Sequence, residues 1–152
     1  MLPHWHVLIG LIFSSIIWLM FPSIGFIGFM IILLSAFFID FDHYLYYVYQ
    51  KHDLSLKNAY SWFIKRSKFL HSLTPKQRQQ YKKPILIFHG IEFWLILVFL
   101  ALIHQIFLFV IAGAIIHIAC DLIQFIYINE PLYSKLSQIL TFILNKNKKL
   151  VF

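Results

Sequence analysis

One cysteine, Cys120, in 152 residues leaves no internal disulfide and no thiolate-rich metal cage. Charge is scarce as well: Asp, Glu, Lys and Arg make up 12% of the chain, and only six residues are acidic. Soluble domains carry roughly twice that charged share. The first apolar run has no basic leading region and no A-x-A cleavage site, so it is expected to be a retained helix rather than a signal peptide. No internal repeat is detectable, and the Lys-rich end is the only low-complexity tract. No basic module of a nucleic-acid-binding type appears either, which argues against a nucleic-acid partner despite the formal charge of +7.

What fills the space is apolar. Hydrophobic residues make up 61% of the chain, and the mean hydropathy is +0.77. An integral membrane protein is the expectation, placed in the cell (cytoplasmic) membrane. All 13 Lys and Arg residues fall outside the apolar blocks, in the stretch from Lys51 to Lys83 or from Lys135 onward. That is the juxtamembrane pattern of cytoplasm-facing segments beside anionic lipid.

The spacing predicts four spans, at residues 5–21, 23–39, 84–103 and 106–128. At ~1.5 Å per residue the shorter ones reach about 25 Å, enough for a thin bilayer or with flanking anchors. Turns fall at Pro22-Ser23 and at His104-Gln105, and Pro84 is expected to open the third span. The fold class is therefore all-α: one membrane domain over residues 1–152, a four-helix bundle of two transmembrane hairpins. A cytoplasmic loop at 44–83 joins the hairpins, and a cytoplasmic tail runs over 129–152, with both termini cytoplasmic. Within the loop, Leu56, Tyr60, Phe63 and Leu70 recur at helical spacing among Lys and Arg. That pattern suggests a basic amphipathic helix on anionic lipid. Thr74-Pro75 resembles an N-cap opening a short helix through Gln80.

Acids and histidines then converge at one depth. With this topology His6, Asp40, Asp42, His43, His89, Glu92, His117 and Asp121 all lie in the cytoplasmic half of the membrane. His117 and Asp121 are i and i+4, with Gly113 on the same face one turn earlier. His89 and Glu92 are i and i+3, the spacing of di-metal bundles. Asp40 and His43 share a face, which Asp42 joins only if the helix unwinds there, and unwinding is expected. No Lys or Arg lies in a span to neutralise these acids, and ionised carboxylates in such a place need partners. Packing through mutual hydrogen bonds is the plainer explanation for any one residue. For the whole set, one or two divalent cations fit better: zinc first, with manganese or iron as alternatives for a His and carboxylate set without thiolate. His6, Asp40, Asp42, His43, His89, His117 and Asp121 are the expected metal ligands, and Glu92 and Asp42 the expected catalytic groups. His4 is expected at the interface and His52, His71 and His104 in loops. Glu130 is expected to face water.

The ordered set of His6 with VLIG, IDFDH (39–43), His89 and GAIIHIACD (113–121) resembles the small inner-membrane metal-dependent hydrolases. That family includes LexA-regulated membrane-bound members. The resemblance covers most of the chain from His6 to Asp121 and implies a metal-dependent hydrolase. The chain departs from it at His89-Gly90-Ile91-Glu92, where the family has His-Arg-Gly-x-Thr-His-Ser. The first His, the Arg and the Thr are missing, and Glu92 is added. Arg66, Lys82 and Lys83 are cations that would take the place of the Arg, with no spacing that selects one. The expected activity is metal-assisted hydrolysis of a phosphoester or lipid-like substrate at the inner leaflet. The alternative is divalent-cation or proton binding and transport without hydrolysis.

Overall fold

The computed structural model describes residues 3–151; the chain ends at 1, 2 and 152 lie outside the described residues. Every regular element among them is helical. Helix α1 (Pro3–Met20) turns through a 3-10 segment at Pro22–Ile24 into α2 (Gly25–Phe38). Gly25 takes φ 64°, a left-handed value that suits a residue without Cβ, and so reverses the chain. Helix α3 (Phe41–Lys51) continues α2 after a two-residue break, and α4 (Leu56–His71) and α5 (Pro75–Arg78) follow. Then come α6 (Ile91–Ile103) and α7 (Ile106–Tyr127), and two short helices, α8 (Tyr133–Leu136) and α9 (Gln138–Leu144).

Helix α2 packs against both α1 and α7, and α6 packs against α7. The close contact is built on small residues. A Cβ on Gly113 of α7 would lie 2.3 Å from the Ile32 carbonyl oxygen of α2, and one on Gly10 of α1 would lie 3.0 Å from Ala36 Cβ. Three helices thus meet nearly backbone to backbone around Ala36, which is fully buried with Ala114.

Two segments are long and apolar enough to cross a membrane, the continuous run Pro22–Lys51 and α7. Only 28% and 22% of their apolar windows are buried inside the protein, so neither resembles the core helix of a soluble domain. Large apolar side chains on α6, including Leu95, Phe99 and Leu102, are exposed too. Helices α1 and α6 are apolar but shorter than a full span.

The third apolar stretch differs from the expected span at 84–103. Residues 84–86 are not helical, a 3-10 turn covers Ile87–His89, and α6 begins only at Ile91. The reason lies in distant partners. Asn145 accepts from the Lys83 N–H and donates to its carbonyl, and Gln138 Oε1 accepts from the Leu86 N–H. Those bonds, with Lys82 N–H to Lys149 O, hold the strand-like stretch before α6 against the C-terminal segment. The tail is accordingly no free extension. Asn129 takes φ 53° and turns the chain, and α8 and α9 fold back to bury Ser134, Lys135, Gln138 and Thr141.

Of the expected loop at 44–83, residues 44–51 belong to α3, and the amphipathic part is helical as the spacing predicts. Helix α4 spans the basic amphipathic segment, capped by Ser55 accepting from the Asn58 N–H. Asp53 ties the α3–α4 corner by accepting from the Tyr47 hydroxyl (2.5 Å) and the Ser55 N–H (2.9 Å). The Tyr47 bond leads in holding its carboxyl below the usual range. Thr74 caps α5 in a reciprocal box with Gln77, and that helix ends at Arg78 rather than Gln80.

Candidate metal centre

The break between α2 and α3 sets up the site. The Asp40 N–H turns to the Phe37 carbonyl (3.2 Å), and the His43 N–H to Asp40 O (3.1 Å). The chain therefore tightens to i to i−3 bonding instead of unwinding, and this brings Asp40 and Asp42 toward one another. The Ala36 carbonyl is left to accept from His117 Nδ1 at 2.8 Å, across the close α2–α7 contact.

His89 is fixed in the same way. Its Nδ1 lies 2.9 Å from Asp42 Oδ2, which also accepts from the Phe88 N–H (3.0 Å). Nδ1 of both rings faces an acceptor, which turns each Nε2 toward the centre. Those two Nε2 atoms are 3.2 Å apart and face one another. Asp121 Oδ2 lies 3.3 Å from His89 Nε2 and 3.6 Å from His117 Nε2. Asp40 Oδ1 lies 3.8 Å and 3.5 Å from the same two nitrogens. At zinc bond lengths of about 2.0–2.1 Å the edges of a ligand tetrahedron are about 3.3–3.4 Å. The measured edges bracket that value, so Asp40, His89, His117 and Asp121 have the spacing of a divalent-cation site.

His6 closes one side of this group. It stacks on His117 with centroids 4.1 Å apart, and its Nε2 is 3.5 Å from Asp121 Oδ1 and 3.7 Å from Asp40 Oδ2. Both its ring nitrogens are buried and make no hydrogen bond among the described residues. A buried imidazole left so is costly unless something else takes its lone pair. His43 lies on the other side, with Nδ1 at 3.2 Å from both Asp40 Oδ1 and Asp42 Oδ1. Asp42, His43 and His89 form a second, overlapping group with metal-ligand spacing.

Seven of the eight expected residues therefore meet. Glu92 does not. Its carboxylate accepts from the Ser137 hydroxyl (2.6 Å) and from the N–H groups of Gln138 and Ile139 (3.1 Å each), at the start of α9. Gly90, extended at φ −83° and ψ 155°, separates His89 from α6, so the i, i+3 relation to Glu92 never forms on one helix. His4, His52, His71 and His104 are exposed.

Two ion-pair groups that the spacing did not place belong here. Lys135 Nζ lies 2.5 Å from Asp121 Oδ2, so a basic residue does neutralise the cluster. Glu130, far from facing water, is buried between Arg78 Nη1 (3.1 Å) and Lys83 Nζ. Neither pairing has a local signal in the sequence, because each needs the tail to fold back. No protein-family model, curated protein or solved structure matches this chain.

Proposed function

We propose that the chain is a membrane-embedded metal-dependent hydrolase, with the four apolar helices as spans and the site at the inner leaflet. The observation that supports it most is the pair of imidazole Nε2 atoms facing each other at 3.2 Å, flanked by two carboxylates. With both Nδ1 atoms given to acceptors, these Nε2 atoms are the ring positions turned toward a cation. Zinc suits the His and carboxylate donors and the tetrahedral edges; manganese or iron is the alternative, and the overlapping group allows a second ion. A divalent cation bound there lowers the pKa of water to near 7 and supplies a nucleophile.

The side chains divide the remaining work. Asp42 orients His89 through its Nδ1–H, a positioning role, while its Oδ1 lies 3.2 Å from His43 Nδ1. Asp40 bridges the two groups and is only partly covered, the side from which substrate would approach. Glu92 serves the helix it caps. An open groove of about 650 Å³ reaches Asp42 and is lined by Leu45, Tyr46, Tyr49, Ile85, Ile87 and Phe142 among others. Its apolar walls and its entry near the basic loop favour a lipid-like phosphoester over a fully soluble substrate. The resemblance in the ordered His and Asp motifs points to the same chemistry.

Transport is less well supported. Residues 7–39 contain no titratable group other than Ser or Thr hydroxyls, so no relay leads from the cluster along α1 or α2 to the far end. The test is phosphate release from phosphatidic acid in mixed micelles by purified, metal-loaded protein. Turnover is expected for the wild type and its loss for His117→Ala with helical content retained. Metal-loaded wild type that releases no phosphate or headgroup from any phospholipid, yet carries divalent cations into vesicles, would contradict a hydrolase.

A further inference from the structure

Beside Asp121 and His43 lies a smaller, partly open cavity of about 180 Å³, also lined by Arg66, His71, Lys83, Lys135 and Glu130. At ~30 Å³ for each water it has room for roughly six, more than a single ion needs. Its three cations come from separate parts of the chain: α4, the extended stretch before α6, and α8. All are buried, with Arg66 5%, Lys83 6% and Lys135 5% exposed, and Arg78 beside them is 7% exposed.

Counter-charge is short in this place. Glu130 is divided between Arg78 and Lys83. Asp121 takes Lys135 but also faces His6, His89 and His117. Arg66 makes no carboxylate contact within 4 Å among the described residues, and Glu130, already shared, is the carboxylate that acts on its charge from further off. Its guanidinium donates to the Lys82 carbonyl (2.7 Å) and lies 5.7 Å from the Trp62 ring centroid. Burial pushes the pKa of both Arg66 and Lys83 down, the sign expected of incompletely compensated cations. Four buried cations thus meet two carboxylates, one of which also serves the imidazoles. Charges taken out of water to this extent call for a further anion.

We infer that this cavity is an oxyanion site in which Arg66, Lys83 and Lys135 bind a phosphate group beside the metal centre. Arginine offers a planar fork for two phosphate oxygens, and the ammonium groups serve the rest as point charges. The cavity shares Asp121 and His43 with the cluster, so a phosphoryl group seated there adjoins the metal ligands. Its catalytic meaning rests on the hydrolase proposal; anion binding itself does not. The same chemistry would hold free phosphate or the phosphate of a lipid headgroup.

Inorganic phosphate is titrated calorimetrically into the detergent-purified full chain, with metal content measured on the same samples and again after chelation. Saturable binding is expected, weakened about tenfold or more in Arg66→Gln and in Lys83→Gln, as loss of a charged hydrogen bond implies. Their metal content should equal that of the wild type, and Arg66→Lys should recover part of the affinity. Micelles carrying phosphatidic acid identify the source: displacement of bound phosphate indicates a lipid headgroup, and its absence free phosphate. If Arg66→Gln fails to fold, Lys83→Gln decides. Wild type that binds no phosphate at millimolar concentration, or variants that bind it unchanged, would overturn the inference. Phosphate binding without metal would instead remove the hydrolase proposal and leave the oxyanion site standing; metal without phosphate binding would do the reverse.

Discussion

His117 and His89 receive their tautomers from opposite sources, a backbone carbonyl of α2 and the carboxylate of Asp42. Both arrangements turn Nε2 to the centre, which is how proteins orient imidazole for metal. Half of this was legible. The i, i+4 relation of His117 and Asp121 needs only an unbroken helix, and α7 supplies one. The i, i+3 pairing of His89 with Glu92 needed the same continuity, and Gly90 interrupts it. Glu92 consequently acts as a helix cap. Glu92→Gln should leave metal content and hydrolysis near wild type while weakening α9 by about 1 kcal/mol, the usual scale for a lost cap. Amide exchange at Gln138 and Ile139 would show it. A collapse of turnover with α9 intact would restore Glu92 to the chemistry.

At the scale of helices, the approach of α2 to α7 decides whether the ligands meet. Gly113 allows the contact, and its expected role as a small residue one turn before His117 holds. An added methyl would strike the Ile32 carbonyl oxygen, a backbone atom that cannot rotate away. Gly113→Ala should therefore cost about 1–3 kcal/mol in a thermal melt in detergent, as overpacking does, and lower metal occupancy. Unchanged melting and full occupancy would mean that the helices are not so closely held. Elements fixed by local chemistry were readable: α7, the amphipathic α4 and the Thr74 cap all fall where spacing placed them. The stretch at 83–90 was not, because its hydrogen bonds go to Asn145, Gln138 and Asp42, 46 or more residues away. Lys135 and Glu130 were missed for the same reason.

Across the whole molecule, titratable groups collect at one end of the α1, α2, α6 and α7 assembly, and apolar surface covers the rest. Two helices meet the length of a span; the proposed four-span topology asks the shorter α1 and α6 to cross as well. Single cysteines introduced by Lys57→Cys and Lys146→Cys, with Cys120 replaced by Ala, should resist an impermeant thiol reagent in intact cells. Ser23→Cys and Gln105→Cys should react. Labelling of all four alike would contradict four crossings.

Elemental analysis of gently purified wild type beside Asp121→Ala reaches furthest. One or two equivalents of zinc, manganese or iron are expected in the wild type, falling toward background in the variant while its helical content persists. Folded wild-type protein that retains no divalent metal, and takes up none when it is supplied, would contradict a metal centre at His89 and His117.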